Sequence, residues 1–330
     1  MVEVGKNCVT EAVITDNEHG QRLDNLLLKL CKGVPKSHVY RIVRSGQVRV
    51  NGRRADVSYR LQAGDRLRIP PVRIARAEHE VVAGAEWKVR LPVVHEDDAL
   101  LVVDKPAGIA VHGGSGESFG VIEALRRQRP EARFLELAHR LDRETSGLLL
   151  LGKKRSALVA LQASFREHTG APADRRADKR YLAVVAGRWM EPVRDVRLPL
   201  LKYLLASGER RVRVADDGKF AHTVFRLLAR WQSFSLLEAQ LRTGRTHQIR
   251  VHLAGLGHPI VGDEKYGDFA LNRTLAREGL KRMFLHASRI RLPHPIEGRD
   301  LLLESDLPAA LRNFLDTVAA TEEQDYGEKI

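Results

Sequence analysis

Leu23, Leu26, Leu27 and Leu30 fall at i, i+3, i+4 and i+7, the apolar stripe of one helix, with Gly33 and Pro35 as its stop. Val39, Ile42 and Val43 repeat the spacing in a second helix, closed by Ser45-Gly46. Val48-Arg-Val-Asn-Gly-Arg-Arg then alternates around Asn51-Gly52, a strong signal for a two-residue hairpin. A strand over Asp65–Ile69 ends at Pro70-Pro71. The pattern predicts two short helices on a small sheet, with Arg41, Arg44, Arg49, Arg53 and Arg54 facing solvent. From Val89 onward, strands and helices alternate. Leu100–Asp104, Leu148–Leu151, Tyr181–Val185, Phe225–Leu228 and Phe234–Ala239 read as strands. Val121–Arg129 and the Leu158, Leu161, Phe165 set read as helices, as does the stripe Leu311, Phe314, Leu315, Val318 near the C-terminus. Without regular βαβ winding or an internal repeat, the expected class is α+β with a mixed, largely antiparallel sheet and flanking helices.

Composition narrows the function classes. Apolar residues are 43% and charged residues 29% of 330, ordinary for a chain that buries a core. No run of about 18 apolar residues suggests a membrane span, and the first residues lack the pattern of a secretory signal. Cys8 and Cys31 are too few for a disulfide framework or a four-ligand zinc site. The expectation is a cytoplasmic, metal-free chain. Its net charge is +13, but residues 20–76 alone hold fourteen Lys and Arg against three Asp and Glu. Such segregation points to a module that binds a polyanion, nucleic acid first, beside the plainer reading of a solubilising surface. The expected organisation is an N-terminal extension (1–19), the basic module (20–76), a linker (77–88) and a catalytic domain (89–330).

Four constellations in the larger domain can carry chemistry. His139-Arg-Leu-Asp-Arg-Glu-Thr-Ser-Gly147 is a charge-dense loop that feeds into the apolar strand at Leu148. It holds Asp142 at the edge of a rigid sheet, as nucleophile or general base, or as one half of a loop salt bridge with Arg140 or Arg143. Thr243-Gly-Arg-Thr-His-Gln-Ile-Arg-Val-His252 is a loop entering a helix. Arg245 in its turn can keep a nearby carboxylate ionised and oriented, or serve only as a phosphate contact. His247 and His252 are five apart, not the i, i+4 spacing of a helical zinc pair, and read as structural or RNA-facing. Val111-His-Gly-Gly-Ser-Gly116 suggests a hydrolase loop built on His112 and Ser115, but no nucleophile elbow follows. Tyr181 opens a strand; its ring can stack on a base and its hydroxyl can move a proton, or it is a core tyrosine.

Two resemblances join these pieces. Arg22-Leu-Asp-Asn-Leu-Leu, Ser37-His-Val-Tyr-Arg-Ile-Val-Arg-Ser-Gly, Val48-Arg-Val-Asn-Gly and Gly64-Asp together resemble an S4-type RNA-binding domain. His139–Gly147, Thr243–His252, Gly257-His-Pro-Ile-Val-Gly-Asp-Glu-Lys-Tyr-Gly267 and Leu285-His-Ala resemble, in order, the motifs of pseudouridine synthases that act on large ribosomal RNA. The second resemblance implies the pseudouridine synthase fold, no cofactor, and 23S ribosomal RNA or a pre-ribosomal large-subunit particle as partner; a monomer is the default expectation. It implies that Asp142 is the essential carboxylate and that Arg245 pairs with it. Tyr181 stacks on the uracil and helps remove the proton at carbon five, and Arg140 fills the gap left by the flipped nucleotide. The charged segment 166–180 is longer than that family's pattern. The competing expectation is a ribosome-assembly factor that binds RNA without turning it over.

Overall fold

The computed structural model describes residues 8–31, 34–72, 91–113, 119–166 and 176–327. The Gly33 helix stop, the 77–88 linker, Ser115 and positions 167–175 of the charged segment lie outside the described residues. The chain divides into two compact units, the first holding Met1–Val89 with the short pieces Glu131–Phe134 and Lys154–Ser156, the second the remainder.

In the first unit β1 (Thr10–Val13), α1 (Leu23–Leu30), α2 (Lys36–Arg44), β2 (Arg49–Val50) and β3 (Arg66–Ile69) follow one another. The strands form an antiparallel sheet in the order β1-β3-β2. Leu23, Leu26, Leu27, Val39, Ile42 and Val43 bury their stripes in one cluster with Val48, Leu67 and Ile69, so both helices form as their periodicity predicts. Asn51 and Gly52 have φ of 51° and 76°, and the Val50 and Arg53 amides each donate to the other's carbonyl. Positive φ at both central positions gives the right-handed twist the flanking strands need. Arg41, Arg44, Arg53 and Arg54 are exposed. Arg49 differs from expectation: it is half-buried, with Nη1 donating to the Gly52 carbonyl of its own hairpin at 3.0 Å.

The second unit runs β4 (Val93–Glu96), β5 (Leu100–Lys105), α3 (Val121–Gln128), β6 (Glu136–Leu137), β7 (Ser146–Gly152), α4 (Arg155–Phe165), β8 (Asp178–Ala186), β9 (Val193–Val196), β10 (Leu200–Leu204), β11 (Arg210–Val214), β12 (Thr223–Arg230), β13 (Phe234–Leu241), α5 (Gln248–Gly255), α6 (Phe269–Arg277), β14 (Leu285–Pro293), β15 (Asp300–Glu304) and α7 (Ala309–Thr321). Eight strands lie in the order β4-β5-β7-β14-β8-β13-β12-β9, with β15 beside β14 and β6 beside β7. Among the described residues only the β7–β14 pairing is parallel, so the sheet is mixed and largely antiparallel. β7 is buried at every position, as its unbroken apolar run requires. It meets β14 where Gly147 has φ of 108° and a Cβ would stand 2.3 Å from the Ala287 carbonyl oxygen, so only glycine fits. Among the described residues no helix is long and apolar enough to cross a membrane.

Candidate active site

The loop that carries Asp142 is fixed from below. Leu141 is buried, and the Thr145 amide donates to the Asp142 carbonyl at 3.2 Å. Lys105, fully buried at the end of β5, donates to the carbonyls of Pro106, Ile109 and Arg143 at 2.7, 2.9 and 2.9 Å. Burial pushes the Lys105 pKa down to about 7, while three acceptors match the three N–H bonds of its charged form. Arg143 Nε in turn donates to the Gly108 carbonyl at 3.0 Å, interlocking the two loops. His139 accepts the Leu150 amide at Nε2, 3.1 Å, and burial holds its pKa at about 3, so it is a neutral brace. Ser146 Oγ lies 2.9 Å from His286 Nδ1 and accepts from Arg282 Nη2 at 2.7 Å; His286 Nε2 lies 3.0 Å from the Ser305 carbonyl. With Nε2–H given to that carbonyl, Nδ1 is left to accept the serine proton.

A second anchored loop faces Asp142. The side chain of Gln248, first residue of α5, accepts from Thr243 Oγ1 and the Arg245 amide at 2.7 and 3.0 Å. It donates to the His222 carbonyl and Thr223 Oγ1 at 3.0 and 2.9 Å. The turn leaves His247 in the left-handed region, φ 54°, a conformation that non-glycine residues hold mainly where surrounding contacts enforce it. Tyr266 Oη accepts the Val212 amide at 3.0 Å, so its proton points to His247 Nδ1, 2.8 Å away. His247 Nε2–H therefore faces Asp142 Oδ2 at 3.8 Å. Burial lowers the His247 pKa more than the Asp142 charge raises it. His252 is buried between Thr223 Oγ1 and the Leu198 carbonyl, both at 3.0 Å, and is structural.

Arg250 places a guanidinium on Asp142. Its Nη1 donates to Asp142 Oδ2 at 3.1 Å, while Nε and Nη2 hold both oxygens of Asp263 at 2.7 Å each. Arg245, the partner expected from sequence, lines the same cavity, and its Nε donates to the Phe220 carbonyl at 2.9 Å. The left-handed step at His247 starts the helix at Gln248 and sets Arg250 against the carboxylate. Arg250 is nearly buried, and Asp263, which also accepts the Lys265 and Tyr266 amides, is fully so. The Asp263 and Asp142 carboxylates raise the Arg250 pKa against burial, and Arg250 in return lowers that of Asp263. Sequence reasoning assigned no role to Arg250, Asp263 or Tyr266, and read His247 only as structural or RNA-facing. The available signal was Gln248-Ile-Arg-Val-His-Leu253, a helical stretch without an apolar stripe, buried throughout. An arginine inside such a helix needs an anionic partner.

The two loops close over a cavity of about 280 Å³. Leu141, Phe165, Tyr181, Leu241, Ile249 and Leu285 form its apolar walls, and Asp142, 19% exposed, opens into it beside Arg250. Tyr181 lies in β8 between Ala239 of β13 and Ala287 of β14 and lines the cavity. Burial and the Asp142 charge raise its pKa, so the hydroxyl stays protonated. Arg140, exposed, and Arg245 line the cavity too, so Asp142, Tyr181, Arg245 and Arg140 converge as the sequence predicts. Arg41, Arg44, Arg53 and Arg54 belong to the first unit. On the other expected constellation, the Gly113 and Gly120 amides both donate to Glu123, at 3.1 and 3.0 Å, which makes that loop a cap for α3. Among the described residues no group of His, Cys, Asp and Glu could hold a metal ion. A cavity with apolar walls, one carboxylate and cationic groups around it suits a neutral base on an anionic backbone.

Residues 99–255 match the family described as RNA pseudouridylate synthase, and residues 21–67 match the S4 domain family. The chain is 49% identical over 316 residues to ribosomal large subunit pseudouridine synthase C of Pasteurella multocida, covering 95% of each chain. It is 50% identical over 307 residues to the protein of the same name from Escherichia coli K12, covering 92% of this chain and 94% of that one. Among solved structures, human RNA pseudouridylate synthase domain containing 4 superposes with a TM-score of 0.56 at 28% identity, over 72% of this chain and 94% of that one. Human RNA pseudouridylate synthase domain containing 1 gives 0.57 at 24% identity, over 73% and 91%.

Proposed function

The chain belongs to the RNA pseudouridylate synthases, and from that premise we propose that it isomerises uridines of 23S ribosomal RNA to pseudouridine on a nucleotide swung out of the RNA. The observation that carries this reading is Asp142 beside Arg250, opening on an apolar slot that is walled by Tyr181. The reaction breaks the bond between C1′ and N1 of the uridine and makes one between C1′ and C5. The proton on C5 leaves and N1 gains one, so no atoms or electrons enter from outside and none of the steps calls for a cofactor.

Asp142 is the negative group brought to the reacting nucleotide. Arg250 orients it, and Asp263 keeps Arg250 from turning away. Tyr181 lies against the base as a neutral ring. Its protonated hydroxyl takes the C5 proton only by giving up its own in the same step, and Asp142, whose charge reaches it, is the acceptor in the same cavity. Arg245, lining the same cavity, helps keep Asp142 charged and oriented, and Arg140 enters the gap in the RNA stack. The S4 domain supplies the salt-dependent part of binding through Arg41, Arg44, Arg53 and Arg54, with Arg49 bracing their hairpin. The reading extends to a monomer acting in the cytoplasm on 23S RNA or its pre-ribosomal particle.

Incubating the purified chain with unmodified 23S RNA and mapping carbodiimide-resistant stops by primer extension tests it. New pseudouridines support the reading. RNA that is bound but unmodified favours the non-catalytic alternative.

A further inference from the structure

A second cavity adjoins the first. It encloses about 450 Å³ and shares Phe165, Lys179 and Leu241 with the slot that holds Asp142. Its lining includes Phe220, which is 56% exposed. The position is rigid although the ring is open. The Phe220 carbonyl accepts from Arg245 Nε, and the adjacent His222 is held through its amide by Thr243 Oγ1 at 2.8 Å and through Nε2 by Asp195 at 3.0 Å. The Phe220 ring is tilted 58° against that of His222, with centroids 6.3 Å apart. Exposed Arg242 and Arg166 also line this cavity. Its acidic member, Asp178, is engaged by Arg180 and Gln240 at 2.9 and 2.7 Å. The site thus offers an open aromatic face, exposed guanidinium groups and a shared wall with the slot for the reacting base.

We infer that this second cavity holds the nucleotide next to the target uridine in the RNA chain, its base stacked on Phe220 and its phosphate met by Arg242. The inference rests on the isomerase reading, because a uridine drawn into the first slot carries its covalent neighbour to the adjoining space. An exposed ring beside arginine is the arrangement by which proteins grip single-stranded RNA. Stacking reads no particular base, so the subsite adds affinity without demanding one flanking sequence.

The test uses the full chain and a stem-loop fragment of 23S RNA with 2-aminopurine placed 5′ or 3′ of the target. Wild type quenches the probe at one of the two positions, and Phe220→Ala does not, while Phe220→Trp restores quenching. In turnover, Phe220→Ala loses about 5- to 150-fold in kcat/KM, the range of one base–aromatic stack, with the loss falling on KM. Removing that neighbouring base from the RNA costs wild type the same factor and costs Phe220→Ala nothing more. Equal quenching by wild type and Phe220→Ala, full additivity of the two losses, or a loss confined to kcat would overturn the inference. The fluorescence measurement needs no turnover. A wild type that binds and quenches without forming pseudouridine would count against the isomerase reading and leave the stacking site standing.

Discussion

Replacing Arg250 with methionine asks whether one guanidinium serves two carboxylates. The Arg250 side chain is 5% exposed and that of Asp263 only 1%. Methionine fills the space but leaves Asp263 as a buried anion whose remaining donors are the amides of Lys265 and Tyr266. Removing one partner of a buried pair costs about 3–5 kcal/mol. A unit of this size loses about 2–4 °C per kcal/mol, so the apparent Tm falls by roughly 10 °C. Adding Asp263→Asn removes the stranded charge and keeps an oxygen for the two amides, so the double variant recovers most of the lost stability. Pseudouridine formation does not return, because Asp142 still lacks the Arg250 guanidinium that orients it. Thermal unfolding and turnover measured on the four proteins of this cycle separate the two roles. Additive stability losses, or an Arg250→Met protein that turns over RNA like wild type, would refute the reasoning.

Further outcomes follow from the same geometry. Gly147→Ala should destabilise the protein by more than about 1 kcal/mol in denaturant titrations, since the new methyl meets the Ala287 carbonyl at 2.3 Å; wild-type stability would contradict the assigned strand contact. His139 titrates near 3 when folded and near 6.5 when unfolded, so below pH 6.5 the unfolded chain binds the extra proton and stability falls with pH. At pH 5 that loss is about 2 kcal/mol, and His139→Gln should show a correspondingly smaller drop between pH 7 and 5. Arg41→Ala and Arg53→Ala should each weaken binding to any RNA sequence and lower the salt slope by about 1; unchanged slopes would remove both from the phosphate interface.

Short-range signals in the sequence were the dependable ones. The leucine stripe of α1 and the Asn51-Gly52 turn are set by neighbours a few residues away, and both form as read. Asp142 was legible because a charge-dense loop running into an all-apolar strand marks a sheet edge. The part of Arg250 was not, because its reach to the carboxylate depends on the left-handed step at His247, a tertiary outcome. The central place of β14 was equally hidden: it pairs with β7 about 140 residues away in sequence, a contact that no local pattern encodes. Asp263 sits in a quoted motif, yet its purpose appears only when the fold lays it against Arg250.

The most direct measurement is tritium release from 23S RNA carrying 5-tritiated uridine, with Asp142→Asn compared to wild type. The account requires the variant to fold, to bind the RNA, and to release no tritium above background. Release at the wild-type rate would mean that this carboxylate is not the group on which the chemistry turns.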